Sequence, residues 1–215
     1  MARLTPLTWI TSAIAVYHLI IVGQLPTWLG WFLPNQIHLA VSALCALTLI
    51  FTLRRAGQRH DAPHDAEKVD GPVAVPWYDW LLIAAAAASA GFIILDFEAI
   101  LDYGMFGALD AKGMFFALCL AIPLLEGIRR TTGWALPVII VLFVAGTMFQ
   151  QYLPGLLYGN GFPLERLLYS SYVGESGIFG LPLNVAANIV IVFLIFGAAL
   201  GGAVERTRAR FTAKS

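Results

Sequence analysis

Gly174-Glu175-Ser176-Gly177 has the spacing of a serine-nucleophile turn, in which a hydroxyl attacks a carbonyl after a neighbouring base takes its proton. The four histidines of the chain are His18, His38, His60 and His64, so none follows Ser176 to serve as that base. Acyl transfer is therefore not expected. His18 and His38 stand near matching ends of the first two apolar runs. Similar depth is what a bis-histidine haem site would need. A plain polar contact between two helices uses the same pair without a cofactor, and is the expected role. His60-Asp61-Ala62-Pro63-His64-Asp65 gathers metal-ligating side chains, but Pro63 breaks any helix that would align them. A solvated linker is the expectation there. No enzyme activity, cofactor or metal is expected from these groups.

Two carboxylates remain. Asp79 follows Pro76-Trp77-Tyr78 at the start of an apolar run, where a negative charge suits the first turn of a helix. Glu126 precedes Arg129 and Arg130 at the end of another. A carboxylate within a span can line an ion path, yet helical spacing puts this one beside both guanidinium groups. An ion pair anchoring the cytoplasmic face is the expected arrangement for Glu126, Arg129 and Arg130.

The elements that carry these residues follow from composition. Of 215 residues, 59% are hydrophobic and 12% charged, about half the charge of an ordinary soluble domain. Basic and acidic residues number 13 each, so no net field attracts a nucleic acid. Cys45 and Cys119 sit in separate apolar runs and read as small buried hydrophobes. The chain is expected to be an all-α, polytopic integral membrane bundle. A span needs about 20 apolar residues, and six stretches approach that: 4–23, 36–53, 77–97, 113–127, 134–150 and 178–204. The first reads as an uncleaved helix, because Gln24-Leu25-Pro26-Thr27 offers no small-residue cleavage site. The fourth is the shortest, contains Pro123, and is expected to borrow length from residues 105–109.

Orientation follows the basic residues. All 13 lysines and arginines except Lys112 and Arg166 fall before the first span, between the second and third, between the fourth and fifth, or after the sixth. That alternation predicts six transmembrane helices with both termini cytoplasmic. Residues 56–76 are polar and read as a flexible cytoplasmic linker. The outer loop with Pro26, Trp28, Trp31 and Pro34 suits the membrane interface. Small residues at 84–91, and the Gly197/Gly201 pair, predict close helix packing within the chain or against another subunit. The outer segment 152–177 carries turn signals around Leu164-Glu165-Arg166-Leu167-Leu168-Tyr169. That short amphipathic stretch is expected on the membrane surface. Glu165, Arg166 and Glu175 are its candidate partner contacts.

Five stretches in register carry a family resemblance. They are Pro76-Trp77-Tyr78-Asp79-Trp80-Leu81, then Leu125-Glu126-Gly127-Ile128-Arg129-Arg130-Thr131-Thr132-Gly133-Trp134-Ala135-Leu136-Pro137, and Tyr152-Leu153-Pro154-Gly155-Leu156-Leu157. Gly177-Ile178-Phe179-Gly180-Leu181-Pro182-Leu183 and Phe196-Gly197-Ala198 complete the set. Together they resemble the N-terminal region of TRAP (tripartite ATP-independent periplasmic) transporter permeases, nearest to the fused TAXI-type branch. The resemblance covers residues 76–203, and residues 1–75 by span pattern and Ile37-His38-Leu39-Ala40.

The resemblance implies that residues 1–132 form a four-helix, small-subunit-like region. Residues 133–215 would then hold the two opening helices of the large permease subunit. It further implies secondary uptake of an organic solute across a bacterial inner membrane, driven by a sodium or proton gradient. The partners implied are a large TRAP permease chain, or an equivalent C-terminal region, and a periplasmic substrate-binding protein. The family's substrate and ion sites lie in helices beyond those present here. In their place the chain continues as Glu205-Arg206-Thr207-Arg208-Ala209-Arg210. It is accordingly expected to be a separate subunit or a truncated permease that does not transport alone.

Overall fold

In lipid a single segment can satisfy its own backbone N–H and C=O groups only as a helix, and every regular element described is helical. The computed structural model describes residues 6–53, 76–155 and 158–212. Helices α1 (Pro6–Val22), α2 (Leu25–Trp28) and α3 (Asn35–Leu53) come first. They are followed by α4 (Trp77–Leu95), α5 (Phe97–Phe106), α6 (Ala111–Thr132) and α7 (Ala135–Met148). A 3-10 turn at Gln150–Tyr152 leads towards α8 (Leu164–Tyr172). The last helix is continuous: α9 (Leu181–Val185) passes through a π-helical turn, Ala186–Val190, into α10 (Ile191–Thr212).

Four helices are long and apolar enough to cross a membrane: Asn35–Leu53, Trp77–Leu95, Ala111–Thr132 and Leu181–Gly202. The other two expected spans coincide with the apolar but shorter α1, of 17 residues, and α7, of 14. The linker at 56–75 and the His60–Asp65 cluster lie outside the described residues, as do Arg3, Arg54, Arg55, Arg59 and Lys68.

The fourth span departs from expectation. Residues 105–109 do not extend it, because α5 ends there at Gly107, whose φ of 65° is a left-handed stop. Asp110 then caps a new helix, accepting a hydrogen bond from the Gly113 N–H at 2.7 Å. The missing length comes from the other end: α6 runs 22 residues, through a buried Pro123, and carries Arg129 and Arg130 in its last turn.

Three helices form the core. Asp79 meets Arg130 at one end of α4 and α6, and Phe92 stacks on Phe116 near the other, with ring centroids 4.4 Å apart. These helices therefore run antiparallel. On α3, Leu47 and Ile50 pack at Gly127 and Phe51 lies under Arg130, which makes α3 parallel to α6. A Cβ at Gly127 would come within 3.2 Å of Leu47, so glycine permits the close approach. The small-residue run of α4 serves the same end: Ala86, Ser89 and Ala90 are buried against neighbours.

Gly197 and Gly201 are exposed on α10, and a Cβ at either would meet nothing within 4 Å among the described residues. Of the two packing alternatives, contact within the chain is not made among those residues. The Leu164–Tyr169 stretch is exposed to half-buried, and α8 continues beyond it into the core. Glu165 and Arg166 are exposed, but Tyr172 at its other end is 1% exposed, and its hydroxyl is 2.6 Å from Ser89 Oγ on α4. A phenol that finds a polar partner can be buried, which amphipathic spacing alone does not reveal.

Candidate functional site

The strongest concentration of charge lies where the C-terminal ends of α3 and α6 meet the start of α4. Asp79 enters through the first turn of α4, behind Pro76, whose fixed φ suits a helix entry. Arg130 enters through the last turn of α6. Its guanidinium makes a two-pronged contact with the Asp79 carboxylate, Nη1 to Oδ2 at 2.9 Å and Nη2 to Oδ1 at 2.5 Å. The Arg130 and Asp79 side chains are 1% and 0% exposed. Paired geometry of this kind is what makes two buried charges tolerable.

Glu126 completes the cluster. Its Oε1 accepts from Arg130 Nε at 2.7 Å and from Arg129 Nη2 at 2.6 Å, and its Oε2 accepts from Arg129 Nε at 2.6 Å. Spacings of three and four residues bring these groups onto one helix face. Aromatic faces cover the cations. Arg130 lies 4.9 Å from the Phe51 ring centroid and 5.9 Å from that of Tyr78, while Arg129 lies 5.1 Å from Trp134. Two arginines and two carboxylates cancel. All three helices, and the start of α7 through Trp134, are tied to one charge-neutral knot.

The expected pairing of Glu126 with both arginines is present. Asp79 stands in the first turn of α4, as read from sequence. Its oxygens also reach Arg130, 51 residues away, a pairing the sequence did not disclose. The paired carboxylate oxygens are engaged by guanidinium donors, so the arrangement suits an anchor better than an ion relay.

The two histidines do meet. His18 and His38 have ring centroids 5.5 Å apart, on α1 and α3. His18 is committed on both sides, with Nδ1 2.8 Å from the Ile14 carbonyl and Nε2 3.1 Å from Ser42 Oγ. His38 Nδ1 lies 3.1 Å from the Tyr17 hydroxyl, and its Nε2 has no hydrogen-bond partner in the chain. The pair is a polar helix contact, as the simpler sequence reading expects.

The other candidates stay apart from both groups. Ser176 and Glu175 are exposed in the turn after α8, where the Glu175 carbonyl accepts from the Leu181 N–H at 2.9 Å. Among the described residues, no group of three or more His, Cys, Asp or Glu side chains could hold a metal ion.

A second polar knot, unforeseen from sequence, closes the opposite end of the core. Asp110 accepts from the Tyr103 hydroxyl at 2.5 Å as well as from Gly113 N–H. The Tyr103 hydroxyl, then the Gly113 N–H, hold the Asp110 carboxyl below its ordinary range. Burial first, and then the hydrogen bond and charge of Asp110, push the Tyr103 phenol upward. Lys112 pairs with Asp96 beside it, over the Phe92 ring.

Comparison with protein-family models, curated proteins and solved structures returns no match for this chain.

Proposed function

We propose that the chain is a scaffold-like membrane component of a TRAP-type secondary transporter for organic solute uptake. In this reading it spans a bacterial inner membrane six times, with both termini cytoplasmic. It works with a large permease chain and an extracytoplasmic binding protein. The observation that carries the reading is the Asp79–Arg130–Glu126 knot. It joins the Pro76–Leu81 and Leu125–Pro137 stretches, two of those on which the resemblance rests, into one rigid helix junction.

A scaffold must hold its shape while a partner moves, and a buried charge-neutral junction of three helices serves that role. Support also comes from what the helices leave uncovered. Val141, Leu142 and Phe143 on α7, and Phe193, Leu194 and Phe196 on α10, are exposed. At Gly197 and Gly201 on α10 a Cβ would meet nothing within 4 Å among the described residues. Lipid accepts such apolar surface, and small residues favour close approach of a further helix.

The test is affinity purification of the tagged chain from mild-detergent membranes of its native host, followed by mass spectrometry. Recovery of a large multi-span permease chain supports the reading. A stable chain that is recovered alone overturns it.

A further inference from the structure

Three irregularities converge on one cavity of about 510 Å³ beside the junction of α1 and α2. Gln24, on its rim, has φ of 55° and is the one non-glycine residue with positive φ among those described. Asn188 reaches the cavity from the π-helical turn. Such turns interrupt regular helices at a cost and are frequent at binding sites. His38 lines the cavity and is 2% exposed. Its Nε2 is the only buried side-chain nitrogen or oxygen among the described residues without a hydrogen-bond partner. The Asn188 side chain interacts with His38, yet no hydrogen bond to Nε2 is formed.

The polar lining has a definite donor and acceptor pattern. Asn188 Nδ2 donates to Asn184 Oδ1 at 2.5 Å and to the Asn184 carbonyl at 3.2 Å. Asn35 Nδ2 donates to the same Oδ1 at 3.4 Å. With their amide nitrogens so directed, Asn35 and Asn188 have their Oδ1 atoms to offer as acceptors. Taking the Tyr17 hydroxyl as the donor to Nδ1 of His38, 3.1 Å away, assigns the imidazole proton to Nε2. The lining thus pairs an N–H donor with carboxamide acceptors. It contains no charged side chain, and Phe32 adds an apolar face.

We propose that this cavity binds an uncharged polyhydroxyl group. A hydroxyl accepts from His38 Nε2–H and donates to a carboxamide oxygen at once, which neither a carbonyl nor an ammonium group does. A charged ligand would lose its hydration with no counter-charge in the lining. The C–H face of a polyol or sugar packs on Phe32. The same chemistry is supplied by a free polyol and by the glycerol headgroup of phosphatidylglycerol.

The test uses the full chain with 15N-labelled histidine in nanodiscs, with the His38 signals assigned from a His38→Asn variant. In phosphatidylcholine discs ribitol is titrated and the Nε2 resonance followed. In a second arm, phosphatidylglycerol discs are used without ribitol. A saturable Nε2 shift with ribitol identifies a free-polyol site, and the same shift in the second arm alone identifies the lipid headgroup. Asn188→Leu should weaken the response by about tenfold, the loss expected of one good hydrogen bond. Thr27→Val serves as a second lining variant, and unchanged His18 signals report an intact fold. No shift in either arm overturns the proposal. So does a linear shift that both lining variants leave as it was.

Discussion

Asp79 and Arg130 face each other across the helix junction as a fully buried two-pronged pair, with Glu126 on the third nitrogen of the same guanidinium. Neither charge has water to fall back on, so Asp79 depends on Arg130, and Arg130 on Asp79 and Glu126 together. The pair consequently favours one register of α4 against α6. A slip by one turn would leave the Asp79 carboxylate stranded.

The first prediction follows from that dependence. Asp79→Ala and Arg130→Ala should each destabilise the chain by about 3–5 kcal/mol, the usual result of stranding one member of a buried pair. Asp79→Leu combined with Arg130→Met should cost far less than the two single changes summed, because it removes both charges and refills their volume. Unfolding of the parent chain, Asp79→Leu, Arg130→Met and the double variant in one detergent, as a double-mutant cycle, checks this. Additive losses would mean that the two residues act separately.

Local spacing made half of this junction legible. Glu126, Arg129 and Arg130 lie within one helical turn, so a periodicity of 3.6 suffices to pair them. Asp79 is on another helix, and no local pattern says which distant cation it meets. Four of the six apolar runs were equally readable as helices long enough to cross a membrane, since hydropathy needs no tertiary information. What failed depended on neighbours: the start of α6 is set by the Asp110 cap and the Gly107 stop. The burial of Tyr172 against Ser89 of α4, on which the sequence was silent, is of the same kind. The glycines at 197 and 201 stay open between the two packings the spacing allows, since no described residue comes within 4 Å of a Cβ there.

Tyr172 offers a second prediction. Its hydroxyl lies against Ser89 Oγ, and its ring packs edge-on to Phe179 at a centroid distance of 5.3 Å. Tyr172→Phe should keep the packing and lose about 1 kcal/mol through the hydrogen bond. Tyr172→Ala should lose about 3–5 kcal/mol, as buried aromatic truncations do. Protease protection of the segment after α8, measured with thermal unfolding, should fall in that order. Equal effects of the two substitutions would place the whole contribution in the hydrogen bond.

A third concerns pH at the Asp110 cap. Its carboxyl is held below the ordinary value of 3.8 in the folded chain. The folded state therefore favours the ionised form. The resulting stabilisation is fully present above the ordinary value and is lost as pH falls through the lower, folded one. Asp110→Ala should remove that acid-side loss and weaken the chain at neutral pH by about 0.5–2 kcal/mol through the missing cap. Asp110→Asn should keep the cap while abolishing its acid dependence. Thermal unfolding of the three proteins between neutral and strongly acidic pH reads both effects. An unaltered acid profile in the Asn variant would remove Asp110 from the explanation.

The last prediction tests the exposed end of α8 as a docking surface, and rests on the transporter reading. Glu165 and Arg166 project from a helix whose far end is pinned by Tyr172, so they are presented on a fixed platform rather than a loose loop. Charges on the rim of an interface act mainly on encounter rate and salt dependence. Glu165→Lys with Arg166→Glu should therefore slow association with the extracytoplasmic binding protein and alter its ionic-strength dependence. Dissociation should change less, and the folded stability should stay within about 0.5 kcal/mol, as for most surface substitutions. Association kinetics on reconstituted membranes across a salt series would separate these effects. An on-rate and salt slope identical to those of the parent chain would move the docking surface away from α8.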